Sequence, residues 1–456
     1  MPKKPSLDHA HLAANIRARL LAGPSSAAVI FNQLGISQPT FSRAVRKLKA
    51  ELLIAGRASK TRYALRRMID GAGARIPVFQ IDENGGAARF GELHSIHSRG
   101  FFFQPTDRRG ETGRFFPDLP YFIDDLRPSG FLGRLIPRRH PELEAPRDIS
   151  AWTSDHCLRY LTRFGADLIG DLILGDAAFR LYLDEARQEP RETAKEAREL
   201  EYPRRAREVL ELGDPGSSAG GEQPKFSAVS GPGARPVLVK FSPKIANDVA
   251  RRRADLLACE HLALETIRRA GLSAARSELL LGGDQAFLEV ERFDRVPPRG
   301  RRGLISLAAF DAEHLGLGRD WSAAAARLLE NGLISREVHD EIRWRELFGH
   351  LIANTDMHQS NLSFYFTEPS ILGLAPAYDM LPMLYAPQNE QLVERAFKPG
   401  SPGPEDAPFW ESVCAAAAAF WAAVAADSRV SPGFRAVAHE NGEQVASLRR
   451  LGELLP

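Results

Sequence analysis

The pattern of apolar and polar positions between residues 25 and 65 predicts two short helices followed by a strand hairpin. Serines stand where N-caps are needed before each helix, and Gly35 marks the turn between them. In the second helix the large apolar residues recur at helical spacing and therefore share one face: Phe41, Val45, Leu48 and Leu52. The alternation at residues 61–65 predicts the returning strand of the hairpin.

This N-terminal segment is strongly basic, whereas the rest of the chain is slightly acidic. Residues 1–67 contain 13 Lys and Arg but two acids, and the remaining residues carry 47 bases and 56 acids. A basic head on an acidic body indicates a polyanionic partner. Helix, glycine turn, helix and basic hairpin together predict a winged helix-turn-helix domain over residues 1–68 that binds DNA.

The polar face of the second helix supplies the predicted DNA contacts. Bases in the major groove would be read by Gln38, Thr40, Ser42 and Arg43. Phosphates would be bound mostly by Arg46, Lys47, Arg57, Lys60 and Arg62. The alternative is a helical protein-interaction module whose Arg and Lys side chains are only solvated.

The following region shows strand patterns without a chemical motif. Residues 69–75 have the composition of a short linker, and strands are predicted at 76–81, 91–96 and 101–103. A stretch rich in Pro and Arg at 137–150 would link two subdomains. Dense charge at helical spacing in 184–211 predicts a solvated helix.

A loop of small residues at 214–225 comes before two apolar strands. Such residues let backbone N–H groups close around phosphate oxygens, although a flexible linker has the same composition. Lys240 lies inside an apolar strand, where a buried ammonium needs an anion; a snorkelling edge-strand lysine is the alternative. The helix predicted at 246–270 offers Glu260 and Glu265 as partners, and a strand that ends in a loop at 287–295 has the position of an adenine-binding hinge.

Asp356, Asn361 and Asp379 form a set of two carboxylates and one amide late in the chain. Phosphoryl transfer from ATP needs a carboxylate that accepts the substrate's hydroxyl proton, and an amide and a second carboxylate that hold magnesium. Taken alone, an Asp followed by an Asn is an ordinary pair of turn residues. The order of small-residue loop, strand lysine, helix glutamate, hinge strand and acid set is typical of a bilobal kinase.

These motifs resemble the signatures of the HipA family, which are serine/threonine kinase toxins of type II toxin–antitoxin systems. The residues that carry the resemblance are 218–225, 239–241, 290–295, 355–361, Tyr378 and Asp379. The fused N-terminal helix-turn-helix makes the chain similar to the YjjJ branch of that family. The resemblance implies an α+β, bilobal protein-kinase-like fold preceded by the winged helix-turn-helix.

The resemblance also implies a role for each matching residue. Asp356 would be the catalytic base, and Asn361 and Asp379 would hold Mg²⁺. Ser218 would be the autophosphorylated residue that switches the enzyme off, with Ser217 left open as its neighbour. The other residues that would contact ATP are Gly220, Gly221, Glu222, Gln223, Pro224, Lys225, Lys240, Glu260, Glu291, Arg292, Phe293, His358, Gln359, Ser360 and Tyr378.

Three positions depart from the family pattern. Met357 and Ser360 replace a Gly and a Lys at non-coordinating positions, so activity is expected to survive. Glu222 places a carboxylate in the phosphate loop, which would weaken nucleotide binding unless it points away. The family phosphorylates aminoacyl-tRNA synthetases and usually depends on a separate antitoxin, HipB, for DNA binding. A DNA-binding head in the same chain leaves the need for a separate antitoxin open.

The sequence therefore predicts an ATP- and magnesium-dependent protein kinase toxin with a DNA-binding head, in the bacterial cytoplasm or on the nucleoid. The predicted domains are 1–68, 76–150, 151–295 and 296–456. Three scattered cysteines indicate a reduced protein without structural zinc, and the apolar run 413–425 is too short to cross a bilayer. The alternatives are a transcription regulator that senses nucleotide without turnover, and a small-molecule kinase of the aminoglycoside or choline type.

Overall fold

The computed structural model describes residues 9–106, 113–187, 195–212, 223–231, 233–318, 320–400 and 402–452. The N-terminal head is built from three helices and three strands. They are α1 (His9–Leu20), β1 (Ser25–Ser26), α2 (Ala27–Leu34), α3 (Gln38–Lys47), β2 (Leu52–Ala55) and β3 (Arg62–Leu65). The strand order is β1-β3-β2, with both pairs antiparallel.

Local chemistry explains where the helices of the head begin and end. The Ser26 hydroxyl accepts a hydrogen bond from the Val29 N–H, and Gly35 ends α2 with a left-handed φ of 63°. The Ser37 hydroxyl caps α3 by accepting from the Thr40 N–H. The apolar faces of the three helices meet in a core that includes Ile16, Leu20, Ile30, Phe41 and Val45.

The head packs directly on the next domain. Leu53, Ala55 and Ala64 of its hairpin form one buried cluster with Ile96 and Phe102 of that domain. Backbone hydrogen bonds cross the same junction, from the Arg67 N–H to the Ser95 carbonyl and from the His97 N–H to the Leu65 carbonyl. Arg67 also forms an ion pair with Asp155.

The segment 69–75, which has the composition of a linker, is a tight turn. Ile69 and Gly73 exchange two backbone hydrogen bonds, of 3.1 and 2.7 Å, and the Ile69 side chain is buried. The turn is therefore part of the packed structure, because a buried apolar side chain opposes free movement of the segment. Composition could not reveal this, since a small-residue turn and a flexible linker use the same residues.

The middle domain is a five-stranded antiparallel sheet with helices beside it. Its strands are β4 (Arg75–Ile81), β5 (Ala87–Ser95), β6 (Phe101–Pro105), β7 (Arg114–Phe116) and β8 (Leu172–Leu174), in the order β7-β6-β5-β4-β8. Its helices are α4 (Tyr121–Asp124), α5 (Gly130–Arg139), α6 (Ser154–Phe164) and α7 (Asp176–Arg187). Because β8 pairs with β4, this sheet extends past residue 150, where the sequence suggested a boundary.

A four-stranded antiparallel sheet and two long helices form the next lobe. They are α8 (Lys195–Leu212), β9 (Lys225–Ser230), β10 (Arg235–Phe241), α9 (Asp248–Arg269), β11 (Ser277–Gly282) and β12 (Gln285–Glu291), with strand order β11-β12-β10-β9. The prediction of a solvated helix at 184–211 is wrong for α8. Its Arg198 and Tyr202 are buried and donate hydrogen bonds of 2.7 and 2.5 Å to Glu289 of β12.

The C-terminal lobe is mostly helical. Its elements are β13 (Arg295–Val296), β14 (Gly300–Arg301), β15 (Leu304–Ser306), α10 (Leu307–His314), α11 (Trp321–Glu330), α12 (Arg336–Leu351), β16 (Ser363–Thr367), β17 (Ser370–Leu374), α13 (Ala407–Ala426) and α14 (Pro432–Gly452). By length and composition alone the segment Pro404–Ala426 passes as a membrane span. However, the large side chains of α13, which are Trp410, Phe420 and Trp421, are buried in the core of this lobe.

Candidate functional site

Three charged side chains from both lobes meet between the four-stranded sheet and the C-terminal lobe. The Lys240 Nζ on β10 lies 2.7 and 2.9 Å from the two carboxylate oxygens of Glu260 on α9. The same ammonium contacts Oδ1 of Asp379, which follows β17. Lys240 and Glu260 are buried and Asp379 is half-buried. A buried lysine with two carboxylate partners satisfies the requirement that an internal charge be compensated.

The electrostatics of this triad follow from burial and from the opposite charges. Burial lowers the pKa of Lys240, but the charges of Asp379 and Glu260 outweigh it and hold the pKa above its ordinary value. Burial raises the pKa of Asp379, but Lys240 and then Lys225 bring it down to about 2. For Glu260 burial dominates and its pKa is raised, since the attraction of Lys240 offsets it only in part.

Lys225 adds a second cation on the same side of the sheet. It is the register partner of Lys240 on β9, and directly opposed residues of an antiparallel pair point to the same face. The adjoining residues are held against the lysine strand, because the Phe241 N–H donates to the Pro224 carbonyl at 2.9 Å and the Gln223 side chain donates to the Phe241 carbonyl. Two neighbouring lysines suit the binding of phosphate oxygens.

The rest of the small-residue loop lies outside the described residues. This holds for Ser217, Ser218, Gly220, Gly221 and Glu222, so their predicted roles stay predictions.

The loop after α12 carries Asp356, His358 and Asn361. The Asn361 Nδ2 donates to the Asp356 carbonyl at 2.8 Å, which closes the loop on itself. The Trp321 indole N–H donates to the His358 carbonyl at 3.1 Å. Gln359, Ser360 and Asn361 form a short 3-10 turn. The Asp356 and His358 side chains are exposed, so a partner molecule can reach them.

An aromatic pair lies at the junction of the hinge and the C-terminal lobe. The rings of Phe293 and Tyr378 are 5.7 Å apart, and the Tyr365 hydroxyl donates to the Phe293 carbonyl at 3.4 Å. The Tyr378 hydroxyl donates to the Ser360 carbonyl at 2.8 Å and lies 2.7 Å from the Ser363 hydroxyl. These contacts bring the hinge and the loop of Asp356 together around one aromatic surface.

The end of the hinge strand is fixed by ion pairs with the middle domain. Arg292 lies 2.9 and 3.0 Å from the two carboxylate oxygens of Asp167, and it also pairs with Asp294. The Glu291 N–H donates to the Arg276 carbonyl, and the Arg292 N–H to the Pro236 carbonyl. The Arg292 side chain therefore acts in a structural network. The sequence did not indicate this, because Asp167 lies 125 residues away.

Backbone contacts also fix the segment that leads to Asp379. Ala377 pairs with the stretch between α9 and β11, through bonds of 2.9 Å to the Ser273 carbonyl and from the Ala275 N–H. Asp379 itself has a φ of 53°, in the left-handed region that Asp tolerates better than most residues. From this position its side chain contacts Lys240.

Asn354 is a residue of the site that sequence reasoning missed. It precedes Thr355, the first residue of the motif, and its buried side chain lies 3.1 Å from the Asp356 N–H nitrogen and 3.4 Å from the Asp379 carbonyl. Its only sequence signal is a polar residue directly after an apolar helix end.

The donor set fits magnesium on chemical grounds. Magnesium is held by oxygen ligands, usually one or two carboxylates with phosphates and water completing the shell. Asp379 offers a carboxylate, and the Asn361 amide oxygen is left for a ligand because its nitrogen makes the bond to Asp356. Among the described residues, no group of three or more His, Cys, Asp or Glu side chains is placed to hold a metal ion.

The side chains predicted to contact DNA lie on the surface of the head. On α3, Thr40 is half-buried beside Ser37. Those that are exposed are Gln38, Ser42, Arg43, Arg46, Lys47, Arg57, Lys60 and Arg62.

Comparisons with known proteins define the class. The model of the YjjJ-like toxin middle domain matches residues 72–183, and that of the HipA-like C-terminal domain matches residues 217–440. The structure of HipA from Shewanella oneidensis MR-1, solved with HipB and its operator DNA, aligns with a TM-score of 0.52 at 16% identity. The alignment covers 82% of this chain and 96% of that chain. The predicted HipA-like fold is therefore confirmed.

A relative in Escherichia coli strain K12 identifies the family within this class of HipA-like proteins. Toxin YjjJ of that organism is 36% identical over 436 residues, which cover 94% of this chain and 96% of that protein. The chain belongs to the YjjJ-like family of HipA-related toxins.

Proposed function

We propose that the protein is an ATP- and magnesium-dependent serine/threonine kinase that acts as a HipA-like toxin. The observation that carries the proposal is the Lys240–Glu260–Asp379 assembly next to the Asp356–Asn361 loop. Lysine, helix glutamate and magnesium aspartate are the parts that phosphoryl transfer requires in kinases. A core built only for stability rarely keeps two buried charges and a half-buried third, since apolar residues of similar volume serve as well or better.

Each side chain has a distinct role in this proposal. Asp356 accepts the proton of a Ser or Thr hydroxyl while that oxygen forms a bond to the γ-phosphorus and the bond from phosphorus to the ADP oxygen breaks. Lys240 and Lys225 bind phosphate oxygens, and Glu260 orients Lys240. Magnesium, held by Asn361 and Asp379, would neutralise charge on the phosphates.

The remaining nucleotide contacts come from three places. The hinge, Glu291 to Phe293, would face the adenine, with Tyr378 beside it. The loop residues His358, Gln359 and Ser360 would line the opposite wall. The small-residue loop would cover the phosphates, with Ser218 as the autophosphorylated residue. We further propose an aminoacyl-tRNA synthetase as the class of protein substrate.

Replacement of Asp356 by alanine tests the catalytic assignment. The purified full-length protein is incubated with labelled ATP, magnesium and a bacterial lysate, and the labelled proteins are identified by mass spectrometry. Asp356→Ala is expected to lower labelling by a factor of ~10²–10⁴, the usual contribution of a general base. The control Asp184→Ala removes an exposed aspartate of α7 and should label as wild type does. Equal labelling by Asp356→Ala would refute the assignment.

We also propose that the head binds DNA. The order of α2, α3 and the β2–β3 hairpin is that of a winged helix-turn-helix, and the exposed basic side chains of α3 and the hairpin support the proposal. Because the head is packed on the middle domain, the chain could also act as a regulator that senses nucleotide without turnover. DNA affinity that changes with ATP, in a protein that labels nothing, would favour that second function.

A further inference from the structure

Asn354 lies at a rigid point of the backbone, directly after α12. Ala353 has a left-handed φ of 60°, its N–H donates to the His350 carbonyl, and the Asn354 N–H donates to the Gly349 carbonyl at 2.9 Å. This pair of bonds is the Schellman motif, which ends a helix with a defined geometry. The Leu384 N–H also donates to the Ala353 carbonyl. The helix end therefore determines where the Asn354 side chain begins.

The carboxamide of Asn354 makes hydrogen bonds to two different segments, and its Nδ2 also lies 3.9 Å from the Met380 sulfur. Its Oδ1 accepts from the Asp356 N–H at 3.1 Å, and its Nδ2 donates to the Asp379 carbonyl at 3.4 Å. In the reverse orientation the Nδ2 donor would face the Asp356 N–H donor, and the Oδ1 acceptor would face the Asp379 carbonyl acceptor. The partners thus fix the orientation of the amide, and the side chain is 4% exposed, so water does not compete.

We propose that Asn354 is a positioning residue. It holds the loop of Asp356, called the base loop, and the metal-binding Asp379 in one fixed arrangement. This inference rests on the proposed function, in which Asp356 takes the proton and Asp379 holds the metal. Asp356 and Asp379 lie on separate segments, and each is bonded to the same planar group. A rigid link between them matters because a displacement of about 1 Å can cost a factor of ~10² in rate.

Only an amide can make both contacts from this position. Aspartate keeps the acceptor for the Asp356 N–H but loses the donor to the Asp379 carbonyl. Alanine loses both and leaves the Asp356 N–H and the Asp379 carbonyl without this partner in a partly buried site. Asn354→Ala and Asn354→Asp therefore separate the two halves of the link.

The test compares these variants with a matched buried asparagine elsewhere in the full-length protein. Asn441 on α14 is 3% exposed, and its amide donates to the Tyr385 hydroxyl at 2.8 Å. Asn441→Ala thus removes a buried amide without touching the base loop. Unfolding in urea confirms that each variant is folded, and Asn354→Asp replaces Asn354→Ala if the latter is not.

Two readouts distinguish positioning from general destabilisation. The first is the steady-state rate of phosphate transfer, with kcat expected to fall 10–100-fold while the KM for ATP changes less than about threefold. The second is the magnesium concentration that half-saturates nucleotide binding by calorimetry, expected to rise by a factor of ~10. Asn441→Ala should match wild type in both. Equal losses in Asn441→Ala, or none in Asn354→Ala, would overturn the inference.

The calorimetric readout also separates failure of the inference from failure of the proposed function. If the wild type binds nucleotide with magnesium but transfers no phosphate to any protein, the kinase proposal fails while the positioning role is still measured. In that case an unchanged magnesium dependence in Asn354→Ala overturns the positioning role. A wild type that binds no nucleotide at any magnesium concentration overturns both.

Discussion

Lys240 and Asp379 are 139 residues apart in the chain, yet their side chains form a direct ion pair between the two lobes. Glu260 contacts the same ammonium. Stability should therefore respond to pH through these groups.

The Lys240–Asp379 pair predicts a loss of stability in acid. The pKa of Asp379 is about 2 in the folded protein, below its ordinary value of 3.8, so the pair contributes fully above pH 4. The contribution is lost as the pH falls from 4 toward 2, since the unfolded chain takes up the proton first. Asp379 is partly exposed. After allowance for solvent screening, we expect the ion pair to contribute on the order of 1 kcal/mol to the free energy of unfolding.

The measurement is the free energy of unfolding in urea at pH 5 and pH 3. Asp379→Asn should show a smaller decrease between the two values than the wild type. Asp184→Asn, on the surface of α7, serves as the control and should follow the wild type. An identical decrease in Asp379→Asn and wild type would show that the pair does not contribute.

Asp294 is predicted to be essential for the stability of the hinge. It is buried and accepts from Arg292, from Arg295 at 2.7 Å and from the Gly170 N–H at 2.9 Å. Burial raises its pKa, but the two arginines outweigh burial and lower it. Asp294→Ala removes one of the two carboxylates that Arg292 and Arg295 share, leaving Asp167 as the other, and should cost about 3 kcal/mol of unfolding free energy.

The matched experiment uses an exposed ion pair of the C-terminal lobe. Arg327→Ala breaks the pair with Glu330, in which both side chains are more than half exposed, and should cost less than about 1 kcal/mol in the same urea titration. Comparable losses in Asp294→Ala and Arg327→Ala would mean that the network at the hinge is not energetically coupled to the fold.

Phe102 is predicted to stabilise the head although it belongs to the middle domain. Its ring is part of the buried cluster with Leu53, Ala55 and Ala64 of the hairpin. Phe102→Ala should cost about 3 kcal/mol, the lower end for a buried ring, and should speed amide hydrogen exchange in β2 and β3. Phe79→Ala, which removes a ring stacked on Phe179 elsewhere in the same sheet, should leave exchange in the hairpin unchanged. Unchanged exchange in Phe102→Ala would refute the contact.

Lys47 is predicted to contact a DNA phosphate. It lies exposed at the end of α3, so Lys47→Ala should lower the slope of log affinity against log salt by roughly one unit. The control Lys398→Ala removes an exposed lysine far along the chain and should leave the slope unchanged. The full-length protein is required, because an isolated head would expose the apolar residues of its hairpin. A flat salt dependence of the wild type would contradict DNA binding.

Helical periodicity and short-range motifs account for what the sequence could predict. The stripe of Phe41 and Val45 and the two serine caps are local features, and the structure has helices and turns at those places. The HipA-like fold could also be predicted from the sequence, because its motifs are short and occur in a fixed order. The segment 69–75 is a packed turn, and α8, within the predicted solvated helix at 184–211, has a buried face, because charge and composition do not reveal what a segment packs against.

The sequence by itself determined a lysine in an apolar strand, two candidate glutamates on the next helix, and the order of Asp356, Asn361 and Asp379. The family resemblance favoured Glu260, and in the tertiary structure Glu260 meets Lys240, whereas Glu265 pairs with Arg268 near the surface. Two side chains five residues apart on an α-helix point in well-separated directions, so Glu260 and Glu265 cannot both face Lys240. The contacts of Asn354 and of Phe102 likewise join segments that are far apart in sequence. The local spacing of residues does not predict such contacts.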